Sequence, residues 1–361
     1  MSELLFEPLQ LGDLRLANRI VMAPMTRNRA DADGVPNELM AEYYGQRGDA
    51  GLLVAEGTWP SAVGQAYCRQ PGIATPAQIA GWKRVTDAVH ARGGLIVLQV
   101  MHGGRIGSHH IKAEGVETVA PSALQAAGEV VTDTAGMQPY DTPRELSTEE
   151  VRDIVQEHAQ AARNAREAGF DGVELHGTSG YLPMQFLSSG TNQRTDEYGG
   201  GAANRARFAF ECLREMAAAI GTGRVGLRMN PGNTYNDTSD EDSAATHAEL
   251  MRQAATLGLA YLHVMRAPMP EVDAFALARQ NFGEHLILND GFGADNAQET
   301  LHQYPGAALS FARHFIGNPD LVARLRAGQP LARFDRKTLY TPGAVGYTSY
   351  GSYSPASASA A

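Results

Sequence analysis

A regular alternation of short apolar runs with longer amphipathic stretches, sustained along 361 residues, narrows the possible folds more than any other feature. The runs fall at 20–22, 51–56, 95–99, 172–176, 225–228, 261–265, 286–289 and 307–311, and each reads as a buried strand. Helical periodicity follows most of them, at 77–91, 149–168, 204–220, 244–257, 294–303 and 319–327. Ser147-Thr-Glu-Glu150 is a capping box that opens the second of these helices. Eight strands with interleaved helices predict an α/β fold, a closed (β/α)8 TIM barrel, with residues 1–361 as one domain. A doubly wound open sheet is the alternative, but no Gly-x-Gly-x-x-Gly turn follows the first strand.

Three segments decorate this barrel. Residues 9–16 alternate around Gly12-Asp13 and predict an N-terminal β-hairpin over the barrel's bottom. The stretch from about 102 to 146 is too long for a plain connection and predicts a lid or subdomain after the third strand. Beyond Arg333 regular periodicity is lost, and 352–361 is a small, polar tail expected to fray.

Composition bounds the partners. With 19% charged and 43% hydrophobic residues the chain suits a soluble enzyme with a large core. A net charge of −10 argues against a nucleic-acid partner but leaves room for an anionic cofactor held by local arginines. Cys68 and Cys212 lack metal-ligand spacing and read as reduced thiols, and no signal peptide or membrane span is evident. The expected location is the cytoplasm.

Barrels of this class place their chemistry at the C-terminal ends of the strands. Those ends carry Pro24-Met25-Thr26-Arg27, Glu56-Gly57, Gln99, His176, Arg228, Asn289-Asp290-Gly291-Phe292 and Ala312-Arg313. No close-set ligand pair occurs, so no metal is expected, although a metal hydrolase using His102, His109, His110 or His176 is a rival reading. Glu56 and Glu174 suit a glycosidase pair poorly, because Glu174 sits inside its strand and can simply fill the barrel. The inventory fits a flat, phosphorylated cofactor better. Amides near Gly291, Phe292 and Ala312 with the Arg313 guanidinium can grip phosphate, Gln99 can pair a pyrimidine-like edge, and Arg228 can face an electron-rich ring. An ion pair with Glu174 is the alternative for Arg228. His176-Gly-Thr-Ser179-Gly-Tyr181 then sets an imidazole, a hydroxyl and a phenol just past the fourth strand.

With those residues in view, the chain resembles the Old Yellow Enzyme family of FMN-dependent ene-reductases. The resemblance covers essentially the whole chain. It rests on Ala17-Asn-Arg-Ile-Val-Met-Ala-Pro-Met-Thr26, Gln99-Val-Met-His-Gly-Gly-Arg105 and Gly169-Phe-Asp-Gly-Val-Glu-Leu-His176, and above all on Thr191-Asn-Gln-Arg-Thr-Asp-Glu-Tyr-Gly-Gly200. It implies FMN as cofactor and NADPH or NADH as hydride donor, serving activated alkenes such as enones, nitroalkenes and maleimides by a ping-pong exchange, in a monomer or homodimer. It further implies that Pro24, Met25, Thr26, Gly57, Gln99, His176, Arg228, Gly291, Phe292, Ala312 and Arg313 hold the flavin. Tyr67, Met101 and Tyr347 would shape the substrate space, with Tyr181 as proton donor and His176 and residue 179 polarising the substrate oxygen. One departure stands out: the family has Asn or His where this chain has Ser179, and a serine hydroxyl reaches less far than an amide. A dihydroorotate-type dehydrogenase and a flavin-binding paralogue without turnover are the other flavin readings.

Overall fold

Eight parallel strands close into one barrel in the computed structural model, which describes residues 4–267 and 272–353. In chain order the strands are β1 (Leu9–Leu11), β2 (Leu14–Leu16), β3 (Ile20–Met22), β4 (Leu52–Thr58), β5 (Ile96–Val100), β6 (Val119–Ala120), β7 (Glu129–Thr132), β8 (Gly136–Pro139), β9 (Arg144–Glu145), β10 (Gly172–His176), β11 (Val225–Met229), β12 (Tyr261–Met265), β13 (Leu286–Asn289) and β14 (Ala308–Phe311). The barrel runs β3-β4-β5-β10-β11-β12-β13-β14 and back to β3, so every barrel neighbour is also the next barrel strand in sequence. Each crossover packs a helix on the outside, among them Pro76–His90, Thr148–Glu167 and Ala202–Ile220. The capping box at Ser147 and Glu150 forms as predicted, each side chain bonding the other's backbone amide. Four helices escape the periodicity: Glu38–Gly45, Leu182–Leu187, Ala274–Asn281 and Arg313–Gly317. None is longer than eight residues, too short to show a clear 3.6-residue period.

β1 and β2 form the predicted hairpin. Leu11, Leu14 and Leu16 join Val21, Leu52, Val54, Val97, Tyr261, Ile287 and Ala308 in a cluster that plugs the barrel's N-terminal end. Its turn presses against the β11–β12 region: the Asp13 amide donates to the Gly223 carbonyl at 2.8 Å. Gly12 has φ +55°, and a Cβ there would sit 2.5 Å from the same carbonyl oxygen.

The opposite end is covered by two segments. The insertion at 102–146 contains the antiparallel β7–β8 hairpin and the parallel β6–β9 pair. The C-terminal stretch, which looked aperiodic, returns across the mouth as a strap held by two arginines that follow β3. Arg27 Nη2 donates to the Gly346 carbonyl at 2.7 Å and its Nε to Leu339 at 3.0 Å. Arg29 donates to the Leu339 and Thr338 carbonyls, both at 2.7 Å. Of the tail expected to fray, Ser352 and Tyr353 are described, and the Tyr353 amide donates to Asp320. The remainder of 352–361 lies outside the described residues. Among the described residues no helix is long and apolar enough to cross a membrane.

Replacing Gly12 with alanine is expected to lower unfolding free energy by about 1–3 kcal/mol, through the left-handed backbone and the carbonyl clash. Urea denaturation of the two proteins checks this, and an unchanged midpoint would show that the turn relaxes freely.

Candidate active site

Three adjoining cavities form a trough across the C-terminal face of the barrel. The central one, about 480 Å³, is lined by Pro24, Met25, Thr26, Gln99, His176, Ser179, Tyr181, Ala312 and Arg313 and closed on one side by the strap. A second, about 510 Å³, shares Ala312 and Arg313 with it and continues to Asn289, Gly291, Phe292 and Arg266. The third, about 290 Å³, shares Thr26, Tyr181, Tyr235 and Tyr340 with the centre and opens between the β7–β8 hairpin and Tyr67. Thus the central cavity touches both others.

Below the trough a chain of polar side chains crosses the barrel interior. Gln99 Nε2 donates to Glu174 Oε1 at 2.9 Å, and Glu174 Oε2 lies 2.8 Å from His263 Nδ1. His263 Nε2 meets the Ser310 hydroxyl at 2.8 Å and Arg228 Nη1 at 2.6 Å, while Arg228 Nη2 donates to Asn289 Oδ1 at 2.8 Å. Arg228 therefore reaches Glu174 through His263, not by the direct ion pair that was the alternative. Burial alone would raise the Glu174 pKa, but His263, Arg228 and Gln99 outweigh it and hold the carboxylate below its usual range. Burial pushes His263 down to about 4, with Arg228 adding to the shift and Glu174 opposing it. The ring is thus neutral at neutral pH, with Nδ1–H donating to Glu174 and Nε2 accepting.

His176 is the next inward residue on β10 after Glu174, since alternate strand positions share a face. It is pushed down to about 3, by burial first and by Arg228 second. A neutral imidazole offers one N–H, and His176 Nδ1 has no hydrogen-bond partner among the described residues. Its ring lies 4.8 Å from that of Tyr181, edge to face at 72°. Tyr181 precedes the helix Leu182–Leu187, and its hydroxyl sits 2.8 Å from the Tyr67 hydroxyl. Burial raises the Tyr181 pKa, and the Tyr67 hydrogen bond partly offsets this. Ser179, between them in sequence, adopts φ +58°, a left-handed conformation that costs a serine more than an asparagine. Its carbonyl accepts from Asn236 Nδ2 at 2.8 Å.

Most of the expected site residues line the trough, and four do not: Tyr347, Gly57, Met101 and Arg228, the last of which lies in the polar chain beneath it. Tyr347 is fully buried, stacked on Tyr43 with ring centroids 3.9 Å apart and 8° between planes, and flanked by Arg27. Its expected place in the substrate space is corrected: Tyr347 anchors the strap, and Tyr340, seven residues earlier, faces the central and outer cavities. Gly57 and Met101 also lie outside the trough lining. A side chain at 57 would run into the Met101 thioether, and Met101 packs with Ala66, Ile106 and Tyr181. Glu56 shares no partner with Glu174; it accepts from the Arg27 amide at 3.1 Å and from the Tyr44 hydroxyl at 3.2 Å, supporting the loop that carries Thr26. Burial pushes its carboxyl up to about 7 against those contacts.

Residues that sequence reasoning passed over include His263, Tyr235, Tyr340, Arg266 and Arg336. His263 was legible, lying at inward parity between Tyr261 and Met265 on β12. Tyr235 follows β11 within Pro231-Gly-Asn-Thr-Tyr235, where strand-end logic could have reached it. Nothing local to the strap residues indicates that they fold over the mouth. Among the described residues no group of three or more His, Cys, Asp or Glu is placed to hold a metal ion.

The NADH:flavin oxidoreductase / NADH oxidase family matches residues 4–332. A probable flavin mononucleotide-dependent alkene reductase of Leishmania infantum is 41% identical over 354 residues, 96% of this chain and 97% of that protein. Morphinone reductase, solved in complex with tetrahydroNAD, superposes with a TM-score of 0.93 at 44% identity, over 98% of both chains. An old yellow enzyme homologue from Zymomonas mobilis gives 0.92 at 38% identity, covering 97% of this chain and 99% of that one. The chain belongs to the NADH:flavin oxidoreductase / NADH oxidase family, and its resemblance to the Old Yellow Enzyme family extends over the whole fold.

Proposed function

We propose that the protein is an FMN-dependent reductase of activated carbon–carbon double bonds that takes its electrons from NADPH or NADH. The observation that carries this reading is the buried, neutral His176 packed edge to face against the Tyr181 phenol, with both residues lining a cavity of about 480 Å³ at the strand ends. An imidazole and a phenol side by side on a cavity wall offer an N–H and an O–H to a ligand oxygen.

The trough residues fit FMN. The guanidinium of Arg313 with backbone amides around Gly291, Phe292 and Ala312 would hold the phosphate in the second cavity. Gln99 has committed one amide N–H to Glu174, leaving its carboxamide oxygen for the pyrimidine edge. Pro24, Met25 and Thr26 would flank the ring, and the buried Arg228 supplies positive charge beneath it. Bound there, the flavin supplies two-electron transfer between the nicotinamide and the alkene.

The chain's own residues do the rest. His176 remains neutral above about pH 4, given its pKa near 3, so its N–H donates to the substrate carbonyl or nitro oxygen throughout the neutral range. That bond strengthens as negative charge builds on the oxygen. Ser179 contributes a shorter second donor than the family's amide. Tyr181 protonates the α-carbon, and burial keeps its phenol protonated until the carbanion forms. The strap and the β7–β8 hairpin narrow the entrance and exclude water. Nicotinamide and alkene use the one space in turn. The net charge of −10 supports small molecules and not nucleic acid as partners, and Cys68 and Cys212, both buried free thiols, support a cytoplasmic location. A monomer and a homodimer are the assemblies we assign, separable by light scattering.

Three measurements test the reading. Tyr181→Phe is expected to slow alkene-driven reoxidation of the flavin about 100-fold or more while NADPH still reduces it, and unchanged reoxidation would remove the proton-donor role. Arg313→Ala should raise the dissociation constant of FMN about 10- to 100-fold, read from released flavin fluorescence. Ser179→Asn should tighten phenol binding about tenfold, followed by flavin charge-transfer absorbance, because the amide reaches further and tolerates φ +58°. Weaker binding there would mean that the loop is built around serine.

A further inference from the structure

Tyr181 has a partner that the reaction as described leaves idle. Its hydroxyl lies 2.8 Å from that of Tyr67, with the rings edge to face at 88° and 6.4 Å between centroids. The two phenols belong to different compartments. Tyr181 lines the central and outer cavities, whereas Tyr67 lines the outer one alone. Tyr67 is also held in place: the Ala66 and Tyr67 amides donate to Gln70 Oε1 at 2.9 and 3.3 Å, and Gln70 Nε2 is anchored on the Gly57 carbonyl at 2.9 Å.

We infer that Tyr67 is a positioning residue for the proton transfer, donating its hydroxyl hydrogen to Tyr181 so that the Tyr181 proton points at the substrate, and then refilling Tyr181 from the outer cavity. The inference rests on Tyr181 as the proton donor. A phenol buried in low dielectric releases its proton reluctantly, because the phenolate is poorly solvated there. A fixed O–H donor at hydrogen-bond distance stabilises that phenolate and costs no reorganisation when charge appears. The opposite polarity, Tyr181 donating to Tyr67, would occupy the proton the substrate needs. Burial raises both phenols, so both hydroxyls carry their protons and either can donate across the 2.8 Å contact.

The steps balance. Hydride supplied by the reduced flavin adds to the β-carbon as the alkene π bond breaks and its electron pair moves to the α-carbon. That pair forms the new C–H bond with the Tyr181 hydroxyl hydrogen as the Tyr181 O–H bond breaks. The Tyr67 proton passes to the Tyr181 phenolate oxygen, and water in the outer cavity reprotonates Tyr67.

The experiment uses the flavin-loaded protein, reduced and mixed anaerobically with 2-cyclohexenone. Tyr67→Phe, which keeps the ring packing, should slow reoxidation about 10- to 100-fold, the range for one hydrogen bond to a charged group. It should also enlarge the solvent deuterium isotope effect, and leave reoxidation by dioxygen unchanged because no Tyr181 proton is consumed. Adding Tyr67→Phe to Tyr181→Phe should cost nothing more, since a donor with no phenolate to serve has no role. Wild-type reoxidation in Tyr67→Phe, or fully multiplicative losses in the double variant, would overturn the relay. If Tyr181→Phe is slow and Tyr67→Phe is not, the relay alone fails; if Tyr181→Phe is fast, the proton-donor reading fails with it.

Discussion

A single line of buried hydrogen bonds, from Gln99 through Glu174 and His263 to Arg228 and Asn289, sets the electrostatics of this barrel. Five strands contribute to it, and Ser310 brings in a sixth. Glu174 and His263 are fully buried and Arg228 is 6% exposed, so each depends on the others for the solvation that water would otherwise give. Breaking one link would strand a charge in the interior. The network therefore ties the relative register of the strands to the chemistry at their ends.

Its consequences reach the trough. Arg228 helps keep His176 neutral, which fixes that ring as a single-proton donor over the whole neutral range. Gln99, committed to Glu174 by one amide hydrogen, is oriented before any ligand arrives. The loop after β3 is held from two other directions: Glu56 accepts the Arg27 amide, and the strap carbonyls accept the Arg27 and Arg29 guanidiniums. Thr26, carried by that loop, inherits a fixed position. The stacked Tyr43–Tyr347 pair with Arg27 over both rings closes the strap onto the barrel. Pre-positioned donors of this sort are worth more than equally numerous mobile ones, because nothing must reorganise as charge develops.

Strand positions were legible because a parallel strand buried on both faces is a continuous apolar run, and β3, β10, β12 and β13 fall where such runs fall. The helices of about two turns were not, since so short a segment as Glu38–Gly45 carries too little period to stand out. The site divides the same way. His176, Arg228, Gln99 and Arg313 could be found from strand ends alone, because the barrel brings those ends together whatever the loops do. Tyr340 and Tyr347 could not be told apart from their own surroundings. Two tyrosines in one turn-rich segment have equal claim on the trough until the Arg27 and Arg29 contacts decide which is turned inward. His263 was readable from parity and was missed because β12 offers no polar residue at its very end.

The amino-acid order alone determined the eight-stranded alternation, the N-terminal hairpin, the long insertion after the third barrel strand and the ring of polar strand ends. All are encoded by local periodicity and turn chemistry within a few residues. Only the tertiary structure decided that Glu174 meets Arg228 through His263, that Tyr67 from one loop bonds Tyr181 from another, and that the strap closes the trough. Those contacts join residues 35 to 319 positions apart. No local pattern specifies such pairs, because they exist only once barrel closure has fixed the distance between segments that are unrelated in sequence.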